Sequence, residues 1–169
     1  LIEFWLKPAV VALGVPLYLQ LEAIKKQLVP ILLSQLAGCI IGVVSVVVIA
    51  KLMGAPQEII YSLAPKSVTT PIAMEVADTL GGIPALTAAV VVCVGLLGSI
   101  IGIKTLKLTR IKSPIAQGLS LGAAAHAVGT STAMDISSKY GAYASLGLTL
   151  NGIFTALLTP TILRLLGLL

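Results

Sequence analysis

Three long stretches of this 169-residue chain carry no charged side chain and are filled by apolar residues. One lies between Asp78 and Lys104, another between Lys139 and Arg164, and a third runs from Gln27 to Ala50. Each meets the ~20-residue length that a helix needs to cross a bilayer. The apolar positions do not alternate as in a membrane barrel, so the pattern predicts transmembrane helices.

Between these stretches the pattern predicts two helices that break. A short helix over 57–64 is interrupted by Pro65 and a polar run, and a second short helix starts at Thr70-Pro71, with Thr70 as its N-cap, and continues toward Gly81. A helix from Pro114 to Ala125 breaks at His126 and restarts near Thr132. Continuous helices are predicted over about Phe4–Leu21, Leu28–Ala50, Pro84–Ile103 and Tyr143–Leu163.

The two broken segments are copies of one another. Lys66–Glu75 matches His126–Asp135 at a fixed offset of 60 residues. Under this offset four residues recur unchanged in type, namely Val68, Thr70, Ala73 and Met74 as Val128, Thr130, Ala133 and Met134. The duplication predicts internal repeats over about 57–108 and 113–168, and paired unwound segments are a common way to build a transporter's binding centre.

The broken segments admit two geometries, and both remain open. Each is either a re-entrant hairpin, which makes the repeats inverted, or a discontinuous helix that crosses fully, which makes them parallel. The lysines and arginines fit both arrangements equally well under the positive-inside rule. We favour hairpins because 57–64 is too short to cross. The expected fold is an all-α polytopic membrane protein with two broken or re-entrant helices, similar in plan to an elevator-type transporter.

Composition supports a single transmembrane domain over residues 1–169. The chain is 57% hydrophobic and 10% charged, whereas soluble domains have about 25% charged residues. The net charge of +5 comes from basic residues at the ends of apolar runs. They form no stripe with interleaved aromatic residues, so we expect a lipid bilayer and no nucleic acid as the partner.

Lys66 is the main candidate for binding an anion. A charged side chain near the bilayer centre needs a partner, water or a ligand. It either pairs with Glu75 or Asp78 or caps the preceding helix, or it binds an anionic substrate together with the helix start at Pro71. Hydroxyl donors for such a substrate are Ser67, Thr69 and Thr70.

His126 occupies the matching place in the second copy. It is either a satisfied core residue or, with an ordinary pKa near 6.5, a group that takes and releases a proton. The substrate would also be bound by Gly129, Thr130 and Ser131, and further proton carriers would be Glu75 and Asp135. Thr132 and Asp135 also match a capping box.

Other features have simpler interpretations. Asn151 is expected to bridge helices. Glycine pairs at Gly38–Gly42, Gly98–Gly102 and Gly118–Gly122 predict close helix packing. The chain has one histidine and two cysteines, and it shows no nucleophile elbow, phosphate loop or zinc spacing. We therefore expect no enzyme activity, no cofactor and no metal.

These motifs resemble the LrgB (CidB-like, antiholin-like) family of membrane proteins. The resemblance lies in Pro65–Met74, Gly81–Pro84, Arg110–Lys112 and Gly118–Thr130, together with Lys7–Leu13 and Pro16–Tyr18. It covers nearly the whole chain. Family members usually have further helices before the position of Leu1, which agrees with the absence of an initiator methionine. They often have a serine before the histidine, where this chain has Ala125.

The resemblance implies two functions. Some members are holin/antiholin-like regulators of murein hydrolase activity and cell lysis that act with a small LrgA/CidA-type membrane protein. Others transport small monocarboxylates such as pyruvate, glycolate or glycerate. The polar breaks favour a transporter of small organic anions, coupled to a proton, in the cell inner membrane or, in a plant, the plastid inner envelope. We also expect a homo-oligomer.

Overall fold

The computed structural model describes residues 18–19 and 21–169, and this part of the chain is helical without strands. The all-α prediction is confirmed. Most of the helix expected over Phe4–Leu21 lies outside the described residues. The helices are α1 (Leu21–Lys25), α2 (Leu28–Leu52), α3 (Gln57–Leu63), α4 (Thr70–Leu80), α5 (Pro84–Leu108), α6 (Pro114–Ile136) and α7 (Ser138–Leu165).

The helices α2, α5 and α7 are long and apolar enough to span a membrane, with mean hydropathies of 2.5, 2.5 and 1.5. They are the three spans that the charge-free stretches predict. Large apolar side chains such as Ile41 and Ile100 are exposed on α2 and α5, as expected for helices that face lipid. The most buried of the three helices is α7, so it forms the centre of the bundle.

Two of these helices, α2 and α7, run in the same direction. Near their starts, Ile31 and Leu146 share one apolar cluster. Further along, Cys39 Sγ lies 3.4 Å from Thr155 Oγ1, and near the ends Lys51 Nζ lies 3.4 Å from the Leu166 carbonyl oxygen. The cluster at the starts also includes residues of α1 and α6. We call this end of the bundle the basic end because Lys25, Lys26, Arg110 and Lys112 flank the helices there.

Both predicted breaks are present. The first separates α3 from α4 over residues 64–69. The second is confined to Ala125 and His126, whose φ/ψ values are −123/16 and 43/−134. A positive φ is unusual for a residue with a side chain, and it turns the chain sharply at His126.

Two details of the predicted breaks are wrong. The second break does not extend to Thr132, because helix resumes after His126 and continues to Ile136. Thr132 Oγ1 donates to the Val128 carbonyl of its own helix at 3.1 Å, so it forms no capping box with Asp135. In the first segment α4 begins at Thr70, and the N-cap is Thr69, without a side-chain hydrogen bond. Such shifts of one residue at helix ends are common.

The two halves of α6 fold back against each other. A Cβ added at Gly129 would lie 2.5 Å from the Leu121 carbonyl oxygen, and Leu121 shares an apolar cluster with Ala133. In a straight helix residues eight and twelve apart are separated by about 12 and 18 Å. The turn at His126 therefore brings the halves into contact.

The first broken segment makes a related contact. Ile83 N donates to Ser62 Oγ at 2.7 Å, and Thr87 Oγ1 donates to the Ser62 carbonyl at 3.0 Å. The residue 60 positions after Ser62 is Gly122, which packs against Ala144 at the start of α7. Each broken segment thus contacts the start of the long helix that follows it.

Two of the three glycine pairs lie at close helix contacts. Gly98 and Gly102 face α6, and Gly118 and Gly122 face the start of α7. Within the described residues, Gly38 and Gly42 show no such contact, since a Cβ at either position would meet no described atom within 4 Å.

We predict that Gly122→Ala destabilises the protein while Gly42→Ala does not. The added methyl at Gly122 would overlap the Ala144 carbonyl, and overpacking of this kind costs about 1–3 kcal/mol or more. The same change at Gly42 enters open space and improves helix propensity. Thermal denaturation of both variants in detergent measures the difference, and equal midpoints would contradict the close approach of α6 and α7.

Candidate functional site

A cavity of about 590 Å³ lies between α2, the first break, the first half of α6, and α7. It extends from the basic end, where Gln27 and Ser113 line it, toward the middle of the bundle. The polar side chains that line the inner part belong to Ser34, Gln35, Cys39, Lys66, Ser67, Ser120, Asn151 and Thr155. Among the described residues, the cavity thus combines apolar walls with one cationic side chain.

Lys66 supplies this cation. Its side chain is partly buried, and its Nζ donates to Ser67 Oγ at 2.9 Å. Within the described residues the one ion pair joins Lys25 to Glu22, so the alternative in which Lys66 pairs with Glu75 or Asp78 is not formed. An ammonium has three donors, and the neutral Ser67 hydroxyl accepts one of them.

Asn151 connects the two breaks. This residue of α7 is 2% exposed, and its Nδ2 donates to the Ser67 carbonyl at 3.0 Å and to the Ala123 carbonyl at 2.9 Å. The expectation that Asn151 bridges segments is confirmed. Because one amide binds both segments, Lys66 and Ser67 lie opposite Ala123 and Ala124 across the cavity.

His126 faces α5. Its Nε2 lies 2.7 Å from the Val91 carbonyl oxygen, which requires the hydrogen to be on Nε2. The ring fills the space above Gly95, where an added Cβ would lie 2.5 Å from His126 Cε1. Among the described residues, those lining the cavity do not include His126.

The positions of the two copies nevertheless correspond. Val91 is the residue 60 positions before Asn151. The first break therefore contacts the middle of the long helix of the second repeat, and the second break contacts the middle of the long helix of the first. Lys66 and His126 occupy related positions, but Lys66 alone lines the cavity.

The remaining candidates are distributed around this core. Ser67 lines the cavity, whereas Thr69 and Thr70 are half-buried outside its lining. Thr130 is fully buried and donates to the His126 carbonyl at 2.9 Å, and Gly129 packs on Leu121. The exposed candidates are Ser131, Glu75 and Asp135. Of the predicted set, the cavity brings together Lys66 and Ser67.

The motifs in the sequence do not indicate the cavity wall contributed by α2. Gln35, which is 4% exposed, and Cys39 line the cavity there. The sequence signal for this wall is Gln35 itself, a glutamine within a 25-residue apolar helix. Polar residues inside membrane spans tend to be functional.

A helical bundle with three candidate spans, and with a cavity of apolar and polar side chains beside interrupted helices, defines a helical membrane protein. The sequence model of the LrgB-like family matches residues 1–165, and the chain belongs to this family. The resemblance noted in its motifs is confirmed.

Three relatives show the extent of the similarity. The uncharacterized protein YwbG of Bacillus subtilis is 42% identical over 158 residues, which cover 94% of this chain and 70% of YwbG. The antiholin-like protein LrgB of Bacillus mycoides is 35% identical over 167 residues, covering 99% of this chain and 73% of its own length. A Bacillus cereus protein of the same name has the same identity and coverage. No solved structure matches the chain.

We predict that Asn151→Leu releases both breaks. The substitution removes the donor and leaves the Ser67 and Ala123 carbonyls without it, at a cost of about 2 kcal/mol in a membrane protein. Thermal stability should fall, and amide hydrogen exchange should increase at 64–69 and 123–127. Thr149→Ala is the matched control, because that hydroxyl donates only to Ser145 of its own helix among the described residues. Unchanged exchange at both breaks would contradict the assignment.

Proposed function

We propose that this chain is the transport unit for a small organic monocarboxylate of the pyruvate, glycolate or glycerate class. The observation that carries the proposal is Lys66, a cation on a mostly apolar cavity whose hydrogen-bond partner within the described chain is the neutral Ser67 hydroxyl. A buried ammonium without an anion is costly. A ligand carboxylate would neutralise it and accept its remaining donors.

The size and surroundings of the cavity support this proposal. Ligand sites usually measure about 300–1,000 Å³, and the cavity of about 590 Å³ accommodates a small organic acid with some water. Its outer end lies at the basic end of the bundle. The positive charges there attract anions toward the mouth.

The contacts also support hairpins rather than crossing helices. The first half of α6 starts at the basic end, and its second half folds back and leads directly into α7, which starts at the same end. We infer that α6 enters and leaves the membrane on one side. We infer that α3 and α4 enter and leave the membrane on the opposite side, because they follow the end of α2. The repeats would then be inverted, as in many transporters.

This arrangement indicates how access could alternate. The cavity lies between α2 and the broken segments, and beside it α2 contacts α7 directly. We propose that the broken segments move against α2 in an elevator-like step. Among the candidate proton carriers, Glu75 and Asp135 are exposed and His126 is buried. We propose His126 as the one that carries a coupling proton.

A second function is favoured by the names of the relatives. Two Bacillus relatives at 35% identity are named antiholin-like protein LrgB, which supports a regulator of cell lysis more directly than it supports a carrier. Such a regulator would act with an LrgA/CidA-type membrane protein and with further copies of the chain. It would form or block a pore and would need no saturable anion site.

We predict that Lys66→Gln reduces carboxylate exchange by about 10- to 100-fold, the loss expected for a charge-assisted hydrogen bond. Proteoliposomes that contain the protein and its LrgA/CidA-type partner should exchange labelled pyruvate or glycolate with saturation. Lys51→Gln is the control, because Lys51 is exposed at the end of α2 that lies away from the basic end and from the mouth of the cavity.

Two outcomes would contradict the proposal. Unchanged flux in Lys66→Gln would remove Lys66 from the site. Release of a large trapped dye, without saturable exchange of any small anion, would favour the lysis regulator instead.

A further inference from the structure

A second, smaller cavity lies between α4 and the later part of α7. Its volume is about 100 Å³, and the described residues that line it are Glu75, Val76, Thr79, Leu80, Ala156 and Pro160. Sites for small organic molecules usually measure about 300–1,000 Å³, and one water takes about 30 Å³. The size of this cavity therefore suits a single ion with one or two waters.

Pro160 leaves a backbone carbonyl without its helical donor beside this cavity. Pro160 lies inside α7 and has no N–H, so the carbonyl of Ala156, four residues earlier, lacks its usual partner. A carbonyl in an α-helix points along the axis toward the residue that donates to it. Its oxygen therefore lies on the face between Ala156 and Pro160, and both of these residues line the cavity.

The polar side chains of the cavity also offer lone pairs. Thr79 Oγ1 donates its hydrogen to the Glu75 carbonyl at 2.8 Å, so the hydroxyl oxygen is left to accept or to coordinate. The Glu75 side chain is exposed, and within the described part of the chain its carboxylate has no ion-pair partner. An ionised carboxylate has no hydrogen to donate. Glu75, Thr79 and Ala156 thus present oxygen acceptors with a single negative charge.

This set of ligands suits a hard cation of charge +1. Carboxylate and carbonyl oxygens are the ligands that hard cations prefer, and backbone carbonyls released from helices coordinate Na⁺ in several transporters. One carboxylate balances one positive charge. A divalent ion would leave an uncompensated charge within a membrane protein, which is costly.

The second repeat provides an internal comparison. At the offset of 60 residues Glu75 corresponds to Asp135, and Pro160 corresponds to Ile100. Ile100 lies inside α5 and has the backbone N–H that a proline lacks. Both copies therefore have the acid, but at the Ile100 position the preceding carbonyl keeps its helical donor.

We propose that Glu75, Thr79 and the Ala156 carbonyl bind one alkali-metal cation between α4 and α7. Pro160 lies about 14 Å beyond Asn151 along α7, toward the end of the bundle opposite the basic end. Because α4 follows directly from the break that contains Lys66, the cation and the proposed anion would be held by the same broken segment. Binding of the cation does not depend on the proposed transport of a carboxylate.

Purified protein in detergent tests the proposal without a substrate. Thermal denaturation is measured in NaCl, KCl and choline chloride at equal ionic strength, because choline is too large for the cavity. At about 100 times its Kd, Na⁺ or K⁺ should raise the midpoint by about 5–10 °C over choline. The dependence on concentration gives Kd, and the two salts show which cation is preferred.

Two variants test the proposed ligands. Glu75→Gln removes the charge, and Pro160→Ala restores the N–H that occupies the Ala156 carbonyl. Each should weaken the cation about tenfold or more, the loss expected for one strong ligand. Pro160→Ala should still fold, since alanine favours a helix. The matched control is Asp135→Asn, the acid at the related position, which should leave the effect of the cation unchanged.

Several results would overturn the cation site. One is an equal midpoint in all three salts, and others are a full cation effect in Glu75→Gln or in Pro160→Ala. Equal loss in Asp135→Asn would indicate general screening of charge instead of a site. If the cations have no effect but Glu75→Gln prevents assembly with the LrgA/CidA-type partner, Glu75 pairs with a basic residue of that partner. None of these results bears on Lys66, so failure of the cation site is distinguishable from failure of the transport function.

Discussion

The amide of Asn151 is the interaction on which the candidate site depends. An interrupted helix leaves backbone carbonyls without their usual partners, and the interior of a membrane offers no water to replace them. Asn151 donates to one such carbonyl on each side, at Ser67 and at Ala123. Two segments far apart in the chain thereby meet at one level of the bundle. Both segments stay beside the cavity, because neither can move away from Asn151 without losing a hydrogen bond.

The two similar segments that contain the breaks lie in unlike surroundings. At the position 60 residues before Asn151, α5 has Val91, which offers only its backbone carbonyl. His126 donates to this carbonyl and fills the space that Gly95 leaves open. Lys66, at the related position in the first copy, faces a cavity instead. In the second half His126 thus packs against α5, while in the first half Lys66 lines the cavity and is the group proposed to bind a ligand.

Sequence patterns predict the spans and breaks well and the site only in part. Charge-free stretches reveal α2, α5 and α7, and Pro65 with its polar run reveals the first break, because these signals are local. The direction of His126 and the place of Gln35 in the cavity wall depend on which helix lies opposite, and the neighbouring residues in the sequence do not reveal this. The hydroxyl of Thr132 is a further example, since a threonine can cap a helix or bond to its own preceding turn. Here Gly129 packs on Leu121 and the helix continues past Thr132, so the hydroxyl bonds to its own preceding turn.

The cavity also bears on the two functions implied for the family. A pore for large molecules needs a wide, continuous polar lining. The part of this cavity that the structure describes has mixed walls, with Lys66 as its cation. A carrier with such a site would change the balance of a weak acid and its proton across the membrane. Transport of a weak acid together with a proton would change the pH at the membrane surface. If the chain is a carrier, an antiholin-like effect on lysis would be a consequence of transport. The antiholin-like names of the relatives would then not require the chain to form a pore.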